Sequence, residues 1–286
     1  NHSRAVPIEQ FIDEKKSDDL DTVRQEIAEE LDEIYDTVYE KAYDSQLMKN
    51  FVNGSQPLYV APARVLADSP DKLVNEVNET HMRLINDLAN ITRQAEKEVL
   101  FISPYYIPRE GGVRFVRELV ESGVRVVVLT NSLASNNHVP VHSGYARYRK
   151  DVIDAGVELY EARANAGKEL SYGEDGPENL TLHTKAVLID RKKIFVGSLN
   201  LDPRSIELNA EMGILIESDD MVADMMENSD EILSTMAYRV LLNDKGNLEW
   251  HCRIDGQEVI ETKEPLASGW LRFKAWFMKI APESQL

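Results

Sequence analysis

The run His183-Thr184-Lys185-Ala186-Val187-Leu188-Ile189-Asp190, continued by Ile194-Phe195-Val196-Gly197-Ser198-Leu199-Asn200, organises this chain. Alternate residues of a strand share a face, so His183 and Lys185 point one way while Thr184 and Ala186 point the other. Arg191-Lys192-Lys193 reads as a tight connection, and residues 194–198 as a second apolar strand that returns Ser198 and Asn200 towards His183. A third β-rich run, residues 212–216, opens directly after Glu211. Three neighbouring strands thus predict one cluster of His183, Lys185, Ser198, Asn200 and Glu211.

These residue types suit attack on a phosphodiester, which is anionic and resists nucleophiles. A neutral imidazole next to fixed positive charge and amide or hydroxyl donors stabilises the charge that develops. A carboxylate on the second ring nitrogen would fix the tautomer and support the cation, and Glu211 is the candidate for that role. Asp190 is read as an anchor for Lys185 or for the hairpin. His183, Lys185, Asp190 and Glu211 form the candidate catalytic set, with Ser198 and Asn200 as the phosphate-binding pair.

By composition alone, H-x-K-x4-D arises in roughly one chain in fifty of this size, and G-S-x-N lowers that by about four orders of magnitude. The combined pattern resembles the phospholipase D superfamily, whose members use such histidines to make and break phosphodiesters. Asn200-Leu201-Asp202-Pro203-Arg204-Ser205 and Glu207-Leu208-Asn209-Ala210-Glu211 resemble bacterial cardiolipin synthases in particular. So do Ser103-Pro104-Tyr105-Tyr106-Ile107-Pro108 and the run from Val141-His142-Ser143 to Arg149. The resemblance extends from about Leu58 onwards.

Carried over position by position, the resemblance makes His183 the nucleophile or its general-acid partner. It makes Lys185, Ser198 and Asn200 phosphate-binding groups and Glu211 the residue that orients His183. Such sites are built from two facing motifs, one histidine attacking while the other protonates the leaving alkoxide, and this chain has one. Its other histidines, at positions 2, 81, 138, 142 and 251, have no lysine two residues on. The partner motif is therefore expected either in a preceding half of the same polypeptide or in a second copy of the chain. The first is preferred, because there is no initiator methionine and Asn1-His2-Ser3-Arg4-Ala5-Val6-Pro7 resembles the segment after the first motif region of these synthases.

The chain has 286 residues, 43% hydrophobic and 29% charged, enough for one sizeable core with appendages. The single Cys252 excludes an internal disulfide and a CxxC metal site. No cofactor or metal is implied. No run of ~18 apolar residues is present to span a bilayer. The net charge of −18 argues against a nucleic-acid substrate, which calls for clustered basic residues.

Three divisions are expected: an acidic helical segment over 1–57, a phospholipase D-like half-domain over 58–262, and an amphipathic tail over 263–286. In the first, Ile27, Leu31, Ile34 and Val38 recur at helical spacing within the acidic stretch 13–40, and Asn53-Gly54-Ser55-Gln56-Pro57 breaks the chain. Ser69-Pro70 opens a helix to about Ala95. Residues 99–102, 124–129 and 157–160 read as strands, and 113–120 and 143–154 as helices. This alternation predicts an α/β fold, a largely parallel mixed sheet flanked by helices on both faces.

The Gly-rich loop 162–179 fits a wall of the substrate entrance or a plain linker. His138 and His142 flank another candidate entrance loop, and the resemblance favours His142. In the tail, Leu266, Trp270, Phe273, Phe277 and Ile280 are spaced alternately by four and three, with Arg272, Lys274 and Lys279 among them. That pattern fits an interfacial helix on an anionic bilayer or a terminal helix docked on the core.

The expected function is a phosphatidyltransferase of the cardiolipin synthase type, acting through a covalent phosphohistidine at a bacterial cell membrane as a peripheral protein. The expected partners are phospholipids, with no nucleic acid. The alternatives are a phosphodiesterase or nuclease with water as acceptor, and a non-catalytic membrane-docking half-domain.

Overall fold

A computed structural model describes residue 25 and residues 45–55, 58–73, 83–168 and 179–280. The chain divides into two compact units, Asn1–Leu58 and Tyr59–Leu286. The acidic stretch 13–40 lies outside the described residues except for Gln25. The first unit contributes helix α1, Gln46–Val52, capped by Ser45, whose side chain accepts from the Met48 N–H.

The second unit is built on one ten-stranded sheet. Its strands are β1 Ala63–Ala67, β2 Glu98–Ile102, β3 Arg125–Asn131, β4 Glu158–Ala162, β5 Ala186–Ile189, β6 Lys193–Gly197, β7 Met212–Glu217, β8 Ala237–Leu242, β9 Leu248–Ile254 and β10 Gln257–Glu261. They lie in the order β1-β7-β6-β5-β2-β3-β4-β8-β9-β10. The helices are α2 Leu84–Thr92, α3 Arg109–Glu121, α4 Val139–Asp154, α5 Pro203–Glu207, α6 Asp219–Met226, α7 Ser229–Met236 and α8 Gly269–Met278.

The central strands are continuous apolar runs because both faces of the sheet are covered. Val99, Phe101, Val126, Val128, Leu159, Val187 and Ile189 pack with Leu88, Val116, Tyr145 and Val152 of α2, α3 and α4. The alternate residues Leu100, Val127, Tyr160, Ala186 and Leu188 pack on the other face with Val222 and Met226 of α6 and Leu233 of α7. The α/β class with helices on both faces therefore holds.

The sheet is not largely parallel, however. Only β2–β3 and β3–β4 run parallel, where α3 and α4 supply crossovers. Every other pairing is antiparallel. The physical reason lies in the connections: β5 and β6 are joined by three residues, and a parallel crossover needs a dozen or more. Strand β1 and the β8–β10 meander lie outside the sequence reading. The helix expected over 69–95 is observed as a short 3-10 turn, Pro70–Leu73, and as α2, with residues 74–82 outside the described set.

Candidate active site

The segments that carry His183, Lys185, Ser198, Asn200 and Glu211 lie at one end of the sheet. Ile102 at the end of β2 pairs with Ala186 at the start of β5, Ala186 with Val196 near the end of β6, and Gly197 with Gly213 near the start of β7. The residues just beyond these termini, 183–185, 198–202 and 211, therefore meet at one edge.

His183 and Lys185 precede β5 in extended chain and share a face. The Lys185 Nζ lies 3.2 Å from His183 Nε2 and donates to the His183 carbonyl at 2.8 Å. Where the ammonium donates to Nε2, that nitrogen presents its lone pair and the ring proton belongs on Nδ1. His183 is exposed and Lys185 half-buried. Burial pulls the Lys185 pKa below the ordinary lysine value, against the opposing carboxylates of Glu211 and Asp202.

Ser198 continues the β6–β7 ladder. Its N–H donates to the Met212 carbonyl at 2.9 Å, and its Oγ accepts from the Met212 N–H at 3.1 Å. Glycine is required beneath it: a Cβ on Gly197 would come within 2.6 Å of the Gly213 Cα. Asn200 holds a buried Oδ1 that has no hydrogen-bond partner among the described residues.

Glu211 is buried, and its Oε1 accepts from Asn209 Nδ2 at 3.2 Å. Its carboxylate therefore sits within the electrostatic reach of Lys185, and no bond from it to His183 is recorded among the described residues. Asp202 caps α5 by accepting from the Ser205 N–H at 3.0 Å, and burial raises its pKa.

Two expectations change. Asp190 is not at this edge and does not anchor Lys185, from which the length of β5 separates it, about 16 Å at roughly 3.3 Å per residue; it takes the other expected role, that of hairpin anchor. With Arg191 it forms the two left-handed residues of the β5–β6 turn, at φ 53° and 57°. Its carboxylate accepts the N–H groups of Glu96, Lys97 and Glu98 at 2.8–3.0 Å, tying the hairpin to the start of β2.

His142 does not line an entrance. It is 1% exposed, inside an ionic cluster where its Nε2 lies 3.1 Å from Arg149 and 3.5 Å from Glu264. Arg149 also meets Glu161 at 2.9 Å, and Glu161 accepts from Tyr145 and Trp250. The spacing of His142, Tyr145 and Arg149 puts all three on the inward side of α4. His138 is the exposed one, edge-on to the Tyr105 ring.

Three buried residues to which the sequence reading gave no role, Ser103 within a run quoted for its resemblance and Asn131 and Asp68 unnamed, hold the edge together. Asn131, at the end of β3, grips Leu182 from both sides, at 3.0 Å to its carbonyl and 2.9 Å from its N–H, and so fixes the residue before His183. Ser103 Oγ, just after β2, accepts from the Leu201 N–H at 3.0 Å and fixes the residue after Asn200. Asp68, just after β1, accepts from the Glu211 N–H at 2.9 Å and pairs with Lys72 at 2.7 Å. Each sits at or just beyond a strand terminus.

A family model described as cardiolipin synthase, PLD-like domain, matches residues 88–233. Cardiolipin synthase C of Escherichia coli (strain K12) is 32% identical over 279 residues, an alignment covering 96% of this chain and 59% of that relative. The chain thus spans well short of two thirds of the relative's length. Among solved structures, phosphatidylserine synthase of Haemophilus influenzae gives a TM-score of 0.48 at 14% identity, over 77% of this chain and 44% of that one. Nuc from Salmonella typhimurium, a phospholipase D family member, gives 0.43 at 12% identity, over 59% of this chain and 93% of that one. With half its length matched by the family model, the chain belongs to the cardiolipin synthase family and carries its PLD-like domain.

Proposed function

We propose that the chain supplies one side of a phosphatidyltransferase site that acts on phospholipid phosphodiesters. The observation that carries this reading is the exposed His183 Nε2 held 3.2 Å from the Lys185 ammonium, at an edge that also presents Ser198 and Asn200. In the proposed reaction one histidine Nε2 attacks phosphorus, forming a P–N bond as the P–O bond to the leaving alcohol breaks. A second histidine gives its proton to the departing alkoxide. The hydroxyl of an acceptor, the glycerol group of a second phospholipid, then attacks phosphorus, returns a proton to the second histidine and breaks the P–N bond. Lys185, Ser198 and Asn200 stabilise the charge on the non-bridging oxygens.

A single H-x-K motif in 286 residues leaves the second histidine to be supplied from outside them. We place it in another part of a longer polypeptide, with a second copy of this chain as the alternative source. No described helix is long and apolar enough to cross a membrane.

The test is product analysis with the full-length protein and a labelled phosphatidylglycerol. The reading predicts a lipid with two phosphatidyl groups and release of free glycerol. Phosphatidic acid as the only product would instead support hydrolysis with water as acceptor, and an inert protein the non-catalytic alternative.

A further inference from the structure

We propose that the outward face of α8 is a docking surface for an anionic phospholipid bilayer, and that it holds the His183 edge against the lipid. The proposal rests on the phospholipid reading for its purpose, but its structural basis is independent.

The apolar stripe of the tail faces away from the core. Trp270 is 66% exposed, Phe273 49%, Phe277 55% and Ile280 77%, and Trp276 beside them is 64% exposed. The helix is seated by a narrow opposite side: Ala275 and Ala267 pack with Leu133, Val139 and Leu271, and Ser143 Oγ donates to the Ala275 carbonyl at 2.8 Å. Phe273 stacks on Trp270 at 5.5 Å and on Phe277 at 6.4 Å, so the exposed rings form one continuous surface. A patch of this kind on a folded protein marks an interaction surface.

Charge and ring type choose the occupant. Between Glu264 and Glu283 the chain has no acidic residue and three basic ones, Arg272, which donates to the Ala267 carbonyl at 2.7 Å, and the exposed Lys274 and Lys279, within a chain of net charge −18. Cations flanking tryptophan and phenylalanine suit the headgroup region of an anionic bilayer, where an amphipathic ring can bury its body and a lysine can reach phosphate. Position gives the surface its use. Leu133, against which α8 rests, lies two residues beyond Asn131, and Asn131 grips the residue before His183. The aromatic face and the candidate site therefore belong to the same end of the sheet.

Intrinsic fluorescence of the full-length protein, read as the difference from a Trp270→Phe, Trp276→Phe variant, tests this, because the difference isolates the two exposed rings while Trp250, 3% exposed, and any tryptophan elsewhere cancel. On vesicles of phosphatidylglycerol and phosphatidylcholine, emission should shift to the blue and be quenched by brominated acyl chains. Trp270→Ala with Phe273→Ala and Phe277→Ala should cut vesicle partitioning by about tenfold or more, and Lys274→Glu with Lys279→Glu should abolish the preference for phosphatidylglycerol. The aromatic variant should keep its turnover of a monomeric short-chain phospholipid, whereas His183→Ala should lose turnover and keep vesicle partitioning. Unchanged partitioning of the aromatic variant, or a change in its oligomeric state in place of a change in partitioning, would overturn the docking proposal without touching the reading of His183. Undiminished turnover in His183→Ala would overturn that reading and leave the docking result standing.

Discussion

Asp190 closes the motif in sequence, yet its carboxylate is committed to three backbone N–H groups at the far end of β5. Burial acts to raise its pKa, but those hydrogen bonds outweigh it and hold the group below the usual carboxylate value. A depressed carboxylate contributes stability above its unfolded pKa and loses it as pH falls through the folded one. Asp190→Ala should therefore lower unfolding stability by about 1–2 kcal/mol at neutral pH and flatten the acid limb of the stability profile in denaturant titrations. Turnover per folded molecule should be largely kept; its collapse with stability unchanged would return Asp190 to the chemistry. The His183–Lys185 pair was legible because strand alternation is local. The supports of the edge were not, since Asn131, Ser103 and Asp68 bind partners 51, 98 and 143 residues away. His142 misled for the same reason. Its helical spacing with Tyr145 and Arg149 was readable, but the carboxylates that make a buried arginine tolerable come from Glu161 and Glu264 on other elements.

Strands β6 and β7 approach closely enough that two glycines face each other across the pair, Gly197 against Gly213. Gly197→Ala should cost about 1–3 kcal/mol through overpacking and should also lower turnover more than thermal stability predicts, because Ser198 and Asn200 follow directly on the displaced strand. Activity matching the loss of folded protein and nothing more would show that the edge tolerates the shift. At this scale the chain announced α3, α4 and the central strands through apolar runs, and α3 and α4 join parallel strands as the alternation implied, while α5, α6 and α7 were not read. Three of the antiparallel pairings, β5–β6, β8–β9 and β9–β10, follow from short connections, whereas β1–β7, β2–β5 and β4–β8 join strands distant in sequence. Asp255-Gly256, both at positive φ, forms the β9–β10 turn, a pairing whose residues carry a hairpin signal of their own. The periodicity of α8 was equally plain in sequence, but periodicity fixes a stripe and not the side it faces; that depended on Ala275 finding Ser143 and Leu133.

The whole molecule gathers its chemistry at one end of a single sheet. Asp68, Ser103 and Asn131 follow or end three different strands; Ser103 and Asn131 fix the neighbours of Asn200 and His183, and Asp68 fixes Glu211 itself, so the edge is held from three strands. The proposed reaction calls for two histidines, and the single H-x-K motif of these residues offers one of them. The direct measurement is the rate at which the full-length protein, with His183→Ala as its sole change, converts phosphatidylglycerol to the two-phosphatidyl product. The account predicts a fall of about three orders of magnitude or more with the unfolding transition unchanged, while a rate equal to that of the unaltered protein would contradict it.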